Sequence, residues 1–188
     1  MMKKFLVLLM VLGMVTMANA QLQISVNGDL EPVDSMITVA PSDHLVLDIW
    51  NLSQITAGLN DNFYWALVVN TDKATIDYLT GVIVTQDNGI VLEHGMSAKD
   101  MGYPIPEGTD GISGGITLNQ LPNIPAGSII YDLIDFHCVA FGDAIIQLYE
   151  TPDGSVLTLV DTVIIHQIPE PMTMALLGLG GLFLRRRK

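Results

Sequence analysis

The chain has 188 residues, 49% of them hydrophobic, with one cysteine and a formal charge of −12, about one domain by length. Six of its eight basic residues sit at the two ends, so the 148 residues from Gln21 to Ile168 carry two lysines, Lys73 and Lys99, against nineteen Asp and Glu, a charge of −17. That balance excludes nucleic-acid binding and attachment to anionic lipid through surface charge, both of which need a basic face, and the lone Cys138 excludes a disulfide framework within the chain.

Residues 1–20 have the layout of a secretory signal. Lys3 and Lys4 give a positive start, Phe5 to Val15 is an apolar run of eleven, and Ala18-Asn19-Ala20 is a small-x-small cleavage site. Eleven residues make a helix of about 16 Å, too short for a hydrocarbon core of roughly 30 Å. Signal peptidase is therefore expected to cut between Ala20 and Gln21 and leave a mature protein that begins at Gln21.

From Gln21 the apolar residues follow a period of two. Leu22, Ile24 and Val26 alternate with polar neighbours until Asn27-Gly28-Asp29; Val33 to Val39 resumes the pattern until Pro41-Ser42-Asp43. In His44 to Trp50, Leu45, Leu47 and Ile49 share one face and Trp50 lies on the other. Phe63 to Val69 is apolar on both faces, as in a central strand covered on both sides. Gly81 to Thr85 and Ile90 to Leu92 flank Asp87-Asn88-Gly89 and read as a hairpin. His94 to Pro125, rich in glycine and proline, reads as a long excursion with one short strand, Gly115 to Leu118. Ser128 to Ala140, Ala144 to Glu150 and Ser155 to His166 complete the set, with Phe141-Gly142-Asp143 and Pro152-Asp153-Gly154 as hairpin turns. Short strands between turn clusters, with no helical periodicity, predict an all-β fold: a single antiparallel β-sandwich over 21–168.

The C-terminus is again a signal. Pro169-Glu170-Pro171 precedes Met172 to Leu184, thirteen residues without a charge, and then Arg185, Arg186, Arg187 and Lys188. Thirteen residues reach about 20 Å as a helix, a marginal span. A basic block after such a segment stays cytoplasmic, which places the sandwich outside. In this order the three parts, Pro169 to Lys188, resemble the PEP-CTERM sorting tail of Gram-negative bacteria that make exopolysaccharide. The resemblance implies recognition by an exosortase, an integral-membrane cysteine transpeptidase that removes the helix and the basic end. The expected organisation is a signal helix at 1–20, a sandwich at 21–168, and a sorting tail with a short apolar helix at 169–188.

A second, looser resemblance is to the cohesin-like family, related in fold to carbohydrate-binding modules. It rests on Val39-Ala40-Pro41-Ser42-Asp43 leading into Leu45 to Ile49, and on Ile134 to Cys138 running to Gly142-Asp143 and Ile145. Cohesins carry Pro-Gly-Asp at the first place, where this chain has Ser42. The resemblance implies a jelly-roll-like sandwich.

Three constellations bear on chemistry. Asn60-Asp61-Asn62, Asp87-Asn88-Gly89, Asp110-Gly111 and Asp153-Gly154 offer loop oxygens to calcium, but none has the spacing of a calcium loop, and the same pairs are turn formers. Among Trp50, Tyr64, Trp65, Tyr103, Tyr131 and Tyr149, Trp50 is the candidate to stack on a sugar, and Trp65 belongs to the core. His137 with Asp135, and His44 with Asp48, share strand faces, but no hydrolase or phosphate-loop motif accompanies them, and Cys138 alternates with Phe136 and Ile134 as a small buried hydrophobe. Asn51-Leu52-Ser53 fits the frequent glycosylation pattern and decides nothing. No catalytic or metal residue and no cofactor is expected. The expectation is an exported, non-enzymatic surface or matrix protein, anchored transiently in the membrane and associated with exopolysaccharide. A specific carbohydrate-binding or cohesin-like docking module and a secreted polysaccharide-active enzyme are the alternatives.

Overall fold

Alternating side chains on a pleated strand point to opposite faces, so Leu45, Leu47 and Ile49 on one strand must seek cover together. The computed structural model shows them all buried against a second sheet. It describes residues 22–30, 37–53, 55–56, 61–77, 82–83, 90–118, 123–151 and 155–168. The strands, in chain order, are β1 (Leu22–Val26), β2 (Thr38–Val39), β3 (His44–Asn51), β4 (Ile55–Thr56), β5 (Asp61–Asn70), β6 (Ala74–Asp77), β7 (Val82–Ile83), β8 (Ile90–Ser97), β9 (Thr109–Leu118), β10 (Asn123–Ile124), β11 (Ser128–Cys138), β12 (Gly142–Thr151) and β13 (Thr158–Gln167).

One sheet has the order β1-β3-β11-β6, with β7 also paired to β11; the other has the order β2-β13-β12-β5-β9-β8; β4 and β10 form a separate pair. Between the two sheets lies the main core, from Leu22, Ile24, Leu47, Ile49, Ile134 and Phe136 on one side to Trp65, Leu67, Ile112, Ile146, Leu148 and Ile165 on the other. Tyr131 meets Trp65 edge-on, with centroids 4.8 Å apart, and so ties the sheets together. As the doubly apolar run of β5 requires, its other face is covered too: Ala66 and Val68 pack with Ala98, Tyr103 and Tyr149, and with the partly buried Ile105 and Leu157.

Several expectations are corrected. The sandwich is not purely antiparallel, because β2 pairs parallel to β13 through Thr38↔His166 and Val39↔Gln167. Both strands run toward the same end of the sandwich, from which the chain turns at Pro41 and Ser42 into β3 of the other sheet. The Val33 to Val39 strand is seen at Thr38–Val39; residues 31–36 lie outside the described ones. The strands β7 and β8, which flank Asp87-Asn88-Gly89, are no hairpin: β7 joins β11 and β8 joins β9, in different sheets. Phe141-Gly142-Asp143 is likewise a crossover, since β11 and β12 belong to different sheets. By contrast β12 and β13 do pair as a hairpin, although Pro152-Asp153-Gly154 itself lies outside the described residues.

The largest correction is β9. Instead of a short strand inside an excursion, it is a ten-residue strand next to central β5. Its glycines make room. A Cβ on Gly114 would lie 2.3 Å from the Trp65 ring, and one on Gly115 would lie 2.4 Å from the Tyr64 ring. Tyr64 and Trp65 of β5 thus each rest over a glycine of β9, at the paired register positions Tyr64↔Gly115 and Trp65↔Gly114. The expected N-terminal and C-terminal helices lie outside the described residues.

Candidate functional site

The end of β13 is where the folded sandwich meets the C-terminal signal. Gln167 pairs with Gly142 on one side and Val39 on the other. Its side chain is buried, and its Nε2 donates to the Lys73 carbonyl at 3.1 Å, an oxygen that also accepts from the Val139 and Ala140 amides at 2.9 and 3.2 Å. His166 Nδ1 lies 2.7 Å from Asp143 Oδ1, and the Ile168 amide donates to Val39 O at 2.9 Å. The ladder is therefore held up to Ile168. Pro169 follows, and having no N–H it cannot extend a ladder, so the folded part and the signal abut without a linker.

A second cluster lies on the outer face of the first sheet. The β11 register slips between Tyr131 and Ile134, and Leu133 there takes a left-handed φ of 60°. The bulge turns the Leu133 amide onto Asp48 Oδ1 at 3.2 Å, while Ser25 Oγ donates to Asp48 Oδ2 at 3.2 Å. Asp48 is buried beside Asp132. Burial, the hydrogen bond to Asp132 and its negative charge push the Asp48 carboxyl up to about 6, against the opposing pull of Leu133 and Ser25. The two histidines of these strand faces meet across the sheet. His44 Nδ1 lies 2.9 Å from Asp135 across β3 and β11 and its ring stacks on His137 at 4.3 Å, while Asp48 takes no part. Among the described residues no group of three or more His, Cys, Asp or Glu is placed to hold a metal ion.

The individual candidates fall as follows. Trp50 is half-buried on the outer face of the first sheet, between Gln23 and Ile129, with its indole N–H buried and unpaired among the described residues. Trp65, Tyr103, Tyr131 and Tyr149 are buried, and Tyr64 is half-buried. Asp110 of the calcium set accepts from Ser97 Oγ at 3.0 Å and from the Gly111 amide at 2.8 Å, which is local strand chemistry. Asn51 is fully buried and donates to the carbonyls of Ile124 and Pro125 at 3.2 and 3.0 Å, so the glycosylation pattern falls on an interior residue. Cys138 is fully buried, and burial with the nearby Asp43 charge pushes its thiol up to about 11. Sequence reasoning missed Asp132 and Leu133, which only the bulge brings to Asp48. It also missed Phe141, a turn aromatic that is 55% exposed. Ala18, Ala20, Gln21, Pro169, Glu170, Pro171 and Arg185 to Lys188 lie outside the described residues. Among those that are described, no helix is long and apolar enough to cross a membrane.

The two pieces that carry the cohesin resemblance pair with each other in the fold. β3 and β11 are antiparallel neighbours, with His137↔His44 and Phe136↔Leu45 in register, and the Ser42 amide donates to Cys138 O at 2.8 Å. Comparison with known proteins adds the following. The model of the PEP-CTERM protein-sorting motif matches residues 167–188. The chain thus carries the signal of an exported protein sorted by an exosortase. No curated protein matches the chain significantly. Solved structures similar to it include cohesin and related sandwich domains. The sixth cohesin of Acetivibrio cellulolyticus scaffoldin B, in complex with a Cel5 dockerin, is 11% identical with a TM-score of 0.40, over 78% of this chain and 99% of that one. A cohesin module of a Clostridium perfringens family 33 glycoside hydrolase is 9% identical with a TM-score of 0.41, over 80% and 99%. The C-terminal domain of the Streptococcus pyogenes antigen I/II-family protein AspA is 16% identical with a TM-score of 0.45, over 81% of this chain and 53% of that one.

Proposed function

We propose that this protein is a non-enzymatic surface or extracellular-matrix component, delivered by an exosortase-type system and associated with exopolysaccharide. The observation that carries the reading is the direct passage of β13 into the matched sorting motif, with Gln167 both the last residue of β13 and the first of the match. Signal peptidase frees Gln21. The segment Met172 to Leu184 then retains the chain, with Arg185 to Lys188 in the cytoplasm. An exosortase-like transpeptidase cuts near Pro169-Glu170-Pro171 and releases or transfers the sandwich. A charge of −17 on residues 21–168 keeps the freed domain soluble and away from anionic surfaces.

The test is the intact mass of the protein from its native host, taken separately from membrane, surface and medium. A species from Gln21 to near Pro169, outside the membrane fraction, supports the reading. A species that keeps Arg185 to Lys188 and stays in the membrane overturns the sorting step.

A further inference from the structure

The end of the sandwich from which β13 leaves carries an apolar tip. Val139, Phe141 and Ile168 are 45%, 55% and 50% exposed, and none belongs to either core cluster. They sit together. Gly142 and Gln167 are register partners, so Phe141 and Ile168 flank the same last rung of the ladder, and the Val139 amide shares the Lys73 carbonyl with Gln167 Nε2. Lys73, one of the two lysines between Lys4 and Arg185, lies among them with its Nζ 3.6 Å from Asp72. A turn between sheets normally presents polar residues to water, and Phe141 there leaves more than half of its surface uncovered by the fold.

Chain length says what covers this tip. Four residue steps separate Ile168 from Met172, where the uncharged segment begins. Fully extended they reach no more than about 14 Å. The headgroup layer on one side of a bilayer is about 5–7 Å thick, from the difference between the whole bilayer and its hydrocarbon core. The thirteen uncharged residues are themselves short for the core, which draws the flanking residues inward rather than letting them stand off. A sandwich held by this tail therefore has its β13 end at the interface, and that end is the one bearing Phe141. Exposed Asp43, Asp72 and Asp143 surround the tip and disfavour anionic lipid.

We infer that, while the tail holds the chain, the Val139–Phe141–Ile168 tip rests in the zwitterionic headgroup layer of the membrane and stands the sandwich upright on it. The inference builds on the proposed sorting reading, and its test separates the two.

The chain from Gln21 to Lys188, the form left by signal removal, is reconstituted in phosphatidylcholine vesicles with a headgroup spin-labelled lipid, as wild type, as Phe141→Trp and as Val156→Trp. Val156 is 66% exposed and lies at the opposite end, beside the start of β13. Quenching of the added tryptophan, read as the difference from wild type, is expected to be at least threefold stronger at position 141 than at 156. Exchanging half the lipid for phosphatidylglycerol is expected to weaken it. Hydrogen exchange on the unsubstituted chain gives a second reading: the 139–143 segment exchanges more slowly on vesicles than in detergent, and 155–159 does not change. Equal quenching at both positions, or unchanged exchange at 139–143, in chains that pellet with the vesicles through alkaline carbonate overturns the tip contact and leaves the tail reading standing. Quenching that needs added host membrane proteins assigns the tip to a protein surface and overturns the lipid contact. Chains that do not pellet overturn both.

Discussion

Replacing Asp48 by Asn tests the buried carboxyl cluster directly. In the native chain the Asp48 carboxyl is pushed from an ordinary value of 3.8 to about 6, by burial first and by Asp132 second. The folded state therefore holds this proton more tightly than the unfolded one. The resulting stability is fully present below pH 3.8 and is lost as the pH rises through 6. A shift of that size corresponds to about 3 kcal/mol. Asparagine has the shape of the protonated acid: its oxygen accepts from Leu133 N–H or Ser25 Oγ, and its amide donates to Asp132. Urea unfolding of both chains at pH 4, 6 and 8, followed by the fluorescence of buried Trp65, is the assay. Asp48→Asn is expected to gain about 2.5 kcal/mol on the wild type between pH 4 and pH 8, most of it before pH 7. Asp132→Asn should move the loss of stability to lower pH, with its midpoint below 6, because Asp132 supplies part of the upward push. A difference between Asp48→Asn and wild type that stays constant within about 0.5 kcal/mol from pH 4 to pH 8 would refute the argument, since the carboxyl would then titrate alike in both states.

Three further outcomes rest on backbone geometry and burial. Ser42 takes a φ of 74° while its amide bonds Cys138 O, so Ser42→Gly relieves about 1–2 kcal/mol of left-handed strain against about 0.5–1 kcal/mol of added chain entropy, and thermal melting should rise by a few degrees. A Cβ on Gly111 would lie 2.0 Å from Leu67 O, a backbone atom of the central strand, whereas Gly28 has open space and a φ of 81°; Gly111→Ala should cost about 3 kcal/mol in urea unfolding and Gly28→Ala about 1 kcal/mol. Asn51→Ala removes both donors to the Ile124 and Pro125 carbonyls and leaves a cavity, for a loss of about 2–4 kcal/mol by the same measurement.

What could be read from the sequence was what a strand decides locally. The alternation of Leu45, Leu47 and Ile49 marks a face whatever the strand pairs with, and a run apolar on both faces, such as Trp65 to Val69, has to be covered twice. Partner choice could not be read the same way. Phe141-Gly142-Asp143 has turn chemistry that serves a crossover as well as a hairpin, and only the position of β11 in the first sheet decides between them. The glycines of β9 resemble a loop because the groups that fill their places, Tyr64 and Trp65, come from another strand about fifty residues earlier. Asp132 reaches Asp48 only through a bulge that an alternating pattern does not register. The sorting tail is the opposite case. Its parts are contiguous because membrane machinery reads a linear signal, so Pro169 to Lys188 were recognisable with no fold at all.

The strand directions also give the molecule a polarity that bears on its handling. Leu22 pairs with Asn51 at one end of the first sheet, and Gln167 pairs with Gly142 at the other end of the second. The ten residues of β13 put about 33 Å between these ends. A sandwich tethered to one membrane through both termini must lie on its side, with a sheet face or edge against the lipid. Once the N-terminal tether is cut, the only remaining constraint acts at Ile168, and the chain is free to stand on the Val139–Phe141–Ile168 tip. Under the proposed sorting reading, signal removal therefore does more than free the N-terminus. It sets the orientation in which Pro169 to Pro171, next in sequence after the ladder, are brought to the membrane surface where a membrane-embedded enzyme works.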